Sequence, residues 1–232
     1  VARGASVDFS IPERVREHRA KIRAFVDQEL IPREGEFLAK GFTQCLPIVE
    51  ELRDKVRKMG YWAPQIPREY GGMGLGFMEF ALISEELGRC PLAHVTFNCQ
   101  APDAGNMEIL MEYGTEEQKD RYLRPLAAGT IRSCFSMTEP DSPGSNPTIM
   151  KTTAVKDGDH YVINGHKWFT SGADGSAFTI VMAVTDPNAD AHGRASQIIV
   201  PMDTPGVRFI RNIPVMGEAG DGWASHAELK YE

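Results

Sequence analysis

No apolar run in the chain approaches the roughly 20 residues needed to cross a bilayer as a helix, so the expectation is a chain with no membrane span. Basic residues are outnumbered, 25 Lys and Arg against 32 Asp and Glu, and they are scattered rather than gathered into a stripe. A formal charge of -7 with that distribution argues against nucleic acid as a partner. Cysteine is scarce: Cys45, Cys90, Cys99 and Cys134 form no CxxC pair and no disulfide framework, which fits a reducing compartment. Cytoplasm is the expected location, although a processed protein of an organellar matrix would look the same. The six histidines show neither HxxxH nor HExxH spacing, so a metal centre is not expected. Also missing are an internal repeat, a low-complexity tract, the GxSxG elbow of serine hydrolases and a charged-then-apolar signal segment in residues 1–6.

What remains is a chain of 232 residues, 42% hydrophobic, long enough for one large domain or two modest ones. The hydrophobic period changes near residue 130. Before it, Ser10 and Glu13 have capping-box spacing, and Val15, Ile22, Val26 and Leu30 recur at helical intervals that Pro32 is expected to stop. Ile48, Val49, Leu52, Val56 and Met59 mark a second helix closing at Gly60. A third is predicted over 77–87, two more segments between Pro91 and Tyr113, and a last helix opened by a Thr115/Gln118 capping box and ending near Gly129.

From Ile131 onward, short β-branched and aromatic runs alternate with turn residues. Asp157-Gly158 and Asn164-Gly165 read as type I′ hairpin turns, with further strands at 178–184, 196–201, 206–211 and 226–231. The predicted fold class is therefore α+β: an N-terminal helical bundle over 1–130, then a small antiparallel β-barrel or sandwich over 131–232. Because the last strand runs to Glu232 with no covering element, the natural protein is expected to continue.

Two glycine-bearing loops invite a ligand. "GGMGLG" at Gly71 to Gly76 lacks GxGxxG spacing and follows "PREY" rather than a strand, so it reads as an ordinary loop. "CFSMTEPDSPGSN", from Cys134 to Asn146, ends an apolar strand on a hydroxyl residue and then turns on Pro and Gly. It can be a plain connection, or a cradle that offers backbone N–H groups, the Thr138 hydroxyl and a close approach at Gly144-Ser145 to an acceptor-rich ligand.

That stretch, followed by "HYVINGHKWFTSGA", resembles the acyl-CoA dehydrogenase family, with its Thr-Glu-Pro loop, Ile-Asn-Gly segment and Trp-x-Thr strand. "PREYGGMGLG", "EELGRCPLA" and "YGTEEQKDRYLRPLAAGTIRSCFSMTEP" extend the resemblance over the whole chain. It implies FAD as cofactor, with Phe135, Ser136, Met137 and Thr138 supplying hydrogen bonds to the flavin ring, Trp168 and Phe169 packing beside it and Thr170 bonding near its reactive nitrogen. Gly144 and Ser145 would approach the flavin phosphates, and Ser145 the acyl-CoA chain. The activity implied is dehydrogenation of acyl-CoA to trans-2-enoyl-CoA, with electrons passed to an electron-transferring flavoprotein by a homodimer or homotetramer. The family's base is a glutamate of a C-terminal helical domain beyond Glu232, so no catalytic residue is expected here; Glu139 matches the structural glutamate of the Thr-Glu-Pro turn. The loop "TEPDSPGSN" is one residue longer than the usual pattern and ends in Asn146, which is similar to the subgroup related to kinase-fused members. Two other functions stay open: a flavin-dependent oxidase relative, and a flavin-free acyl-CoA-binding or assembly domain.

Overall fold

Helical spacing of apolar residues sets the first half of the chain. In the computed structural model, which describes residues 10–232, α1 (Glu13–Phe25) buries Val15, Ile22 and Phe25. It starts one residue after Pro12, so Glu13 is its first residue and not the N3 partner of a Ser10 capping box. Nor does Pro32 end the helix. A π-helical turn, Val26–Leu30, widens the backbone ahead of α2 (Ile31–Lys40), and Pro32 falls in the first turn of α2, directly after that widening. The absence of a signal segment in residues 1–6 lies outside the described residues.

α3 (Phe42–Met59) buries Val49, Leu52 and Val56 and ends at Gly60, whose φ of 76° is the left-handed stop a glycine supplies most easily. Each of those three side chains contributes roughly 1.5–3 kcal/mol through burial. α4 (Phe77–Leu87) keeps the predicted bounds, and α5 (Ala93–Thr96) and α6 (Asp103–Tyr113) fill the span before Tyr113. Thr115 and Gln118 do form a reciprocal capping box, opening α7 (Glu116–Gln118), a second π turn and α8 (Arg124–Ala128), which stops at Gly129 with φ 75°.

The second half is a curled sheet: β1 (Ser133–Ser136), β2 (Thr153–Asp157), β3 (His160–Ser171), β4 (Phe178–Val184), β5 (Ala195–Pro201), β6 (Val207–Asn212) and β7 (His226–Tyr231). Its order is β1-β4-β2-β3-β7-β6, with β5 on β4. Pairings are antiparallel except for β1 with β4 and a single parallel bridge from Thr153 to Val184. Asp157 and His160 close a hairpin over Gly158-Asp159. Gly158 has φ 59° while Asp159 is not in the left-handed region, so the turn is of II′ rather than I′ character.

Asn164-Gly165 is not a turn. Asn164 pairs with Thr153 of β2, and Gly165 pairs with Tyr231 of β7, so one long strand changes partners there. A Cβ at Gly165 would overlap the Thr152 side chain, which explains the glycine without a hairpin.

Two polar ties fasten the halves together. Asp103, fully buried, accepts from Ser133 N at 2.8 Å and Ser133 Oγ at 2.6 Å, and Asn106 Nδ2 donates to the Cys134 carbonyl at 3.0 Å. Asp221, on the far side of the sheet sequence, accepts from Phe42 N at 2.7 Å and Thr43 N at 2.9 Å, capping α3 from 178 residues away.

Candidate functional site

The end of β1 lies against the middle of β3. Thr138 Oγ1 donates to the Trp168 carbonyl at 2.6 Å, and Trp168 N donates back to the Thr138 carbonyl at 3.0 Å. These bonds bring the Thr-Glu-Pro loop and the Trp-Phe-Thr segment into one place. Beneath them is a buried ion pair. Lys167 Nζ, in a side chain with 0% exposure, donates to the Met137 carbonyl at 2.8 Å and to Glu139 Oε1 at 3.0 Å. Glu139 also accepts from Lys151 N at 2.7 Å and Thr152 N at 2.8 Å. Burial pushes the Glu139 carboxyl up, but those hydrogen bonds and the Lys167 charge outweigh it and hold the group below the usual carboxylate range. Burial lowers the Lys167 ammonium, with Glu139 opposing the shift. A carboxylate so fully engaged is part of the frame, as the sequence implied, and is not poised to take a proton.

β3 carries a bulge where the sequence analysis placed two ring contacts. Lys167 pairs with Leu229 and Thr170 with Ala227, so Trp168 and Phe169 together face Glu228. Phe169 has φ 51°, costly for a non-glycine residue, and is 42% exposed with its ring 5.0 Å from that of Trp168. The bulge gives the surface two adjacent aromatic rings and turns Thr170 inward. There its hydroxyl sits 3.3 Å from Ser136 Oγ, which in turn lies 2.7 Å from the Tyr231 hydroxyl. Ser136 and Thr170 are both buried, so their hydroxyls brace the sheet behind the surface. Phe135 and Met137 are half-buried, and Phe135 packs on the main core.

The loop that follows exposes Gly144 and Ser145. Its internal bonds run from Ser142 N to the Glu139 carbonyl and from Asn146 N to the Pro143 carbonyl; the N–H groups of Gly144 and Ser145 take no part in them. Asn146 instead caps the short turn Pro147–Ile149 through Thr148 N at 3.1 Å. Gly144 passes close to Thr138, where a Cβ would stand 3.0 Å from Cγ2. The glycine-rich 71–76 loop behaves differently. Gly71, Gly72, Met73, Gly74 and Leu75 all donate their N–H groups inward, to carbonyls of residues 63–68, leaving nothing for a phosphate. A cavity of about 850 Å³ is lined by that loop and Trp62, and by neither Thr138 nor Trp168.

Two family models match the chain in sequence order: the acyl-CoA dehydrogenase N-terminal domain over residues 12–130 and the acyl-CoA dehydrogenase middle domain over residues 134–231. The chain belongs to the acyl-CoA dehydrogenase family. It is 42% identical over 222 residues to acyl-CoA dehydrogenase family member 11 of Gallus gallus, covering 91% of this chain and 28% of that protein. It is 39% identical to the probable acyl-CoA dehydrogenase FadE2 of Mycobacterium tuberculosis, covering 97% of this chain and 56% of that one. A solved structure of a putative acyl-CoA dehydrogenase from Mycobacterium abscessus superposes with a TM-score of 0.89 at 40% identity, over 97% of this chain and 58% of that chain. The chain thus spans little more than half the length of such relatives, or less.

The two segments singled out in the sequence are joined through Thr138 and Trp168, but the bulge, the lysine beneath it and the Asp221 cap were not foreseen. A buried lysine leaves no trace in a sequence, because lysine is ordinarily a surface residue.

Proposed function

We propose that this chain forms the flavin bed of an FAD-dependent acyl-CoA dehydrogenase, which in the complete protein converts an acyl-CoA thioester to the trans-2-enoyl-CoA. The observation that carries the reading is the join of β1 and β3, where a half-buried Trp168 and an exposed Phe169 at a strand bulge stand near a loop whose Gly144 and Ser145 N–H groups are not spent on internal backbone bonds. Flat aromatic faces and unspent N–H groups suit a planar, acceptor-rich cofactor with phosphates. The backbone of Phe135, Met137 and Thr138 would hold the ring edge with Ser136 buried behind them, Trp168 and Phe169 would flank it, and Gly144 and Ser145 would meet a phosphate. Thr170 would support the bed from behind, through its contact with Ser136.

When bound, FAD supplies the acceptor for the hydride that leaves the β carbon, which no side chain provides. The residues of this chain bind and orient. Glu139 is not assigned as the base, since it is spent on Lys151, Thr152 and Lys167. An electron-transferring flavoprotein as acceptor, a homodimeric or homotetrameric state, and kinship with the kinase-fused subgroup through the longer 138–146 loop belong to the same proposal. It is tested by titrating the complete protein, wild type and Thr138→Ala or Trp168→Ala, with FAD. Weaker binding in both variants at unchanged melting temperature supports it; unchanged binding in both overturns it.

A further inference from the structure

Glu139 does not need Lys167 in order to be satisfied. Each of its oxygens already accepts a backbone N–H, from Lys151 and from Thr152. A fully buried ammonium is expensive, and an apolar side chain of similar length would fill the same space at less cost. The contact that Lys167 alone makes is with the Met137 carbonyl, at 2.8 Å.

That contact has a geometric consequence. In a trans peptide the C=O and the following N–H point in opposite directions. Drawing the Met137 carbonyl inward onto Nζ therefore turns the Thr138 N–H away from the buried ion pair. The Thr138 N–H has no partner among the loop and turn backbone bonds, while the Thr138 carbonyl and hydroxyl are both bonded to Trp168. Lys167 is also the last residue in register before the bulge, so one side chain anchors both walls of the site.

We propose that Lys167 is a positioning residue: its ammonium clamps the Met137–Thr138 peptide so that the Thr138 N–H is presented, polarised, to the ring of the bound flavin. This rests on the flavin-bed reading above. A hydrogen bond from an ammonium also draws electron density from the peptide and strengthens the N–H as a donor.

The test uses the complete protein with Lys167→Gln, which keeps N–H donors, Lys167→Met, which keeps only length, and the double variant K167M/E139L, which removes the carboxylate that the single change leaves without a counter-charge. FAD dissociation constants and the hydrogen-exchange rate of the Thr138 amide, with and without FAD, are the readouts. The expectation is that Lys167→Gln stays within about threefold of wild type, that Lys167→Met loses about tenfold or more in affinity, and that the double variant, though less stable, remains per folded molecule as weak as Lys167→Met, with its Thr138 amide unprotected by FAD. Should the single methionine variant fail to fold, the double variant carries the comparison. Full affinity and a protected Thr138 amide in the double variant would overturn the proposal, because Lys167 would then act only through the fold. Wild-type protein that takes up no FAD would overturn the flavin-bed reading itself.

Discussion

Two glycine-bearing loops, 71–76 and 138–146, look alike as strings of small and turn-forming residues, yet the fold uses them in opposite ways. The first folds back on residues 63–68 and spends its N–H groups on their carbonyls. The second hangs from a strand end, is braced underneath by Glu139 and Lys167, and leaves Gly144 and Ser145 exposed. Composition does not separate a loop that spends its backbone donors internally from one that leaves some of them free; where the donors go does.

The comparison is broken most severely by removing the brace. Glu139→Leu strands the Lys167 ammonium and two backbone N–H groups in the interior, and is expected to cost about 3–5 kcal/mol, read from the denaturant midpoint. The next effect falls on the other loop. A Cβ at Gly72 would run into the carbonyls of Ile66 and Ala63, so Gly72→Ala is expected to cost roughly 1–3 kcal/mol while leaving FAD affinity per folded molecule unchanged. Gly144→Ala reverses that pattern. Its φ is not in the left-handed region and the nearest neighbour is the Thr138 methyl, so stability should move by less than about 0.5 kcal/mol while FAD binding weakens.

Acid gives a smaller, graded test. Glu139 is held below the carboxylate range in the folded state, chiefly by hydrogen bonds that overcome burial. Its contribution is therefore fully present above the unfolded value of roughly 4.3 and is lost as pH falls through the lower folded value. Wild-type stability should drop over that window, and Glu139→Gln should flatten the drop, as measured by melting temperature against pH.

Much of this was legible in the sequence. The apolar spacing of α3, the Thr115/Gln118 box and the left-handed stops at Gly60 and Gly129 are local signals, and local physics decides them. The β1 end, the loop and Trp168 could be assembled from motif order alone. What failed was anything requiring a distant partner. Pro32 is tolerated because a π turn precedes it, Gly165 is a glycine because Thr152 crosses it, and Thr170 faces inward because a bulge shifts the strand's alternation after Lys167. The same shift set two aromatic rings side by side on the surface, a juxtaposition that simple period-two reasoning splits across two faces.

The central claim is tested most directly by an anaerobic visible spectrum of the complete, FAD-loaded protein titrated with acyl-CoAs of increasing chain length. The account predicts bleaching of the flavin that depends on the acyl chain, with enoyl-CoA as product. A bound flavin that no acyl-CoA bleaches would contradict it.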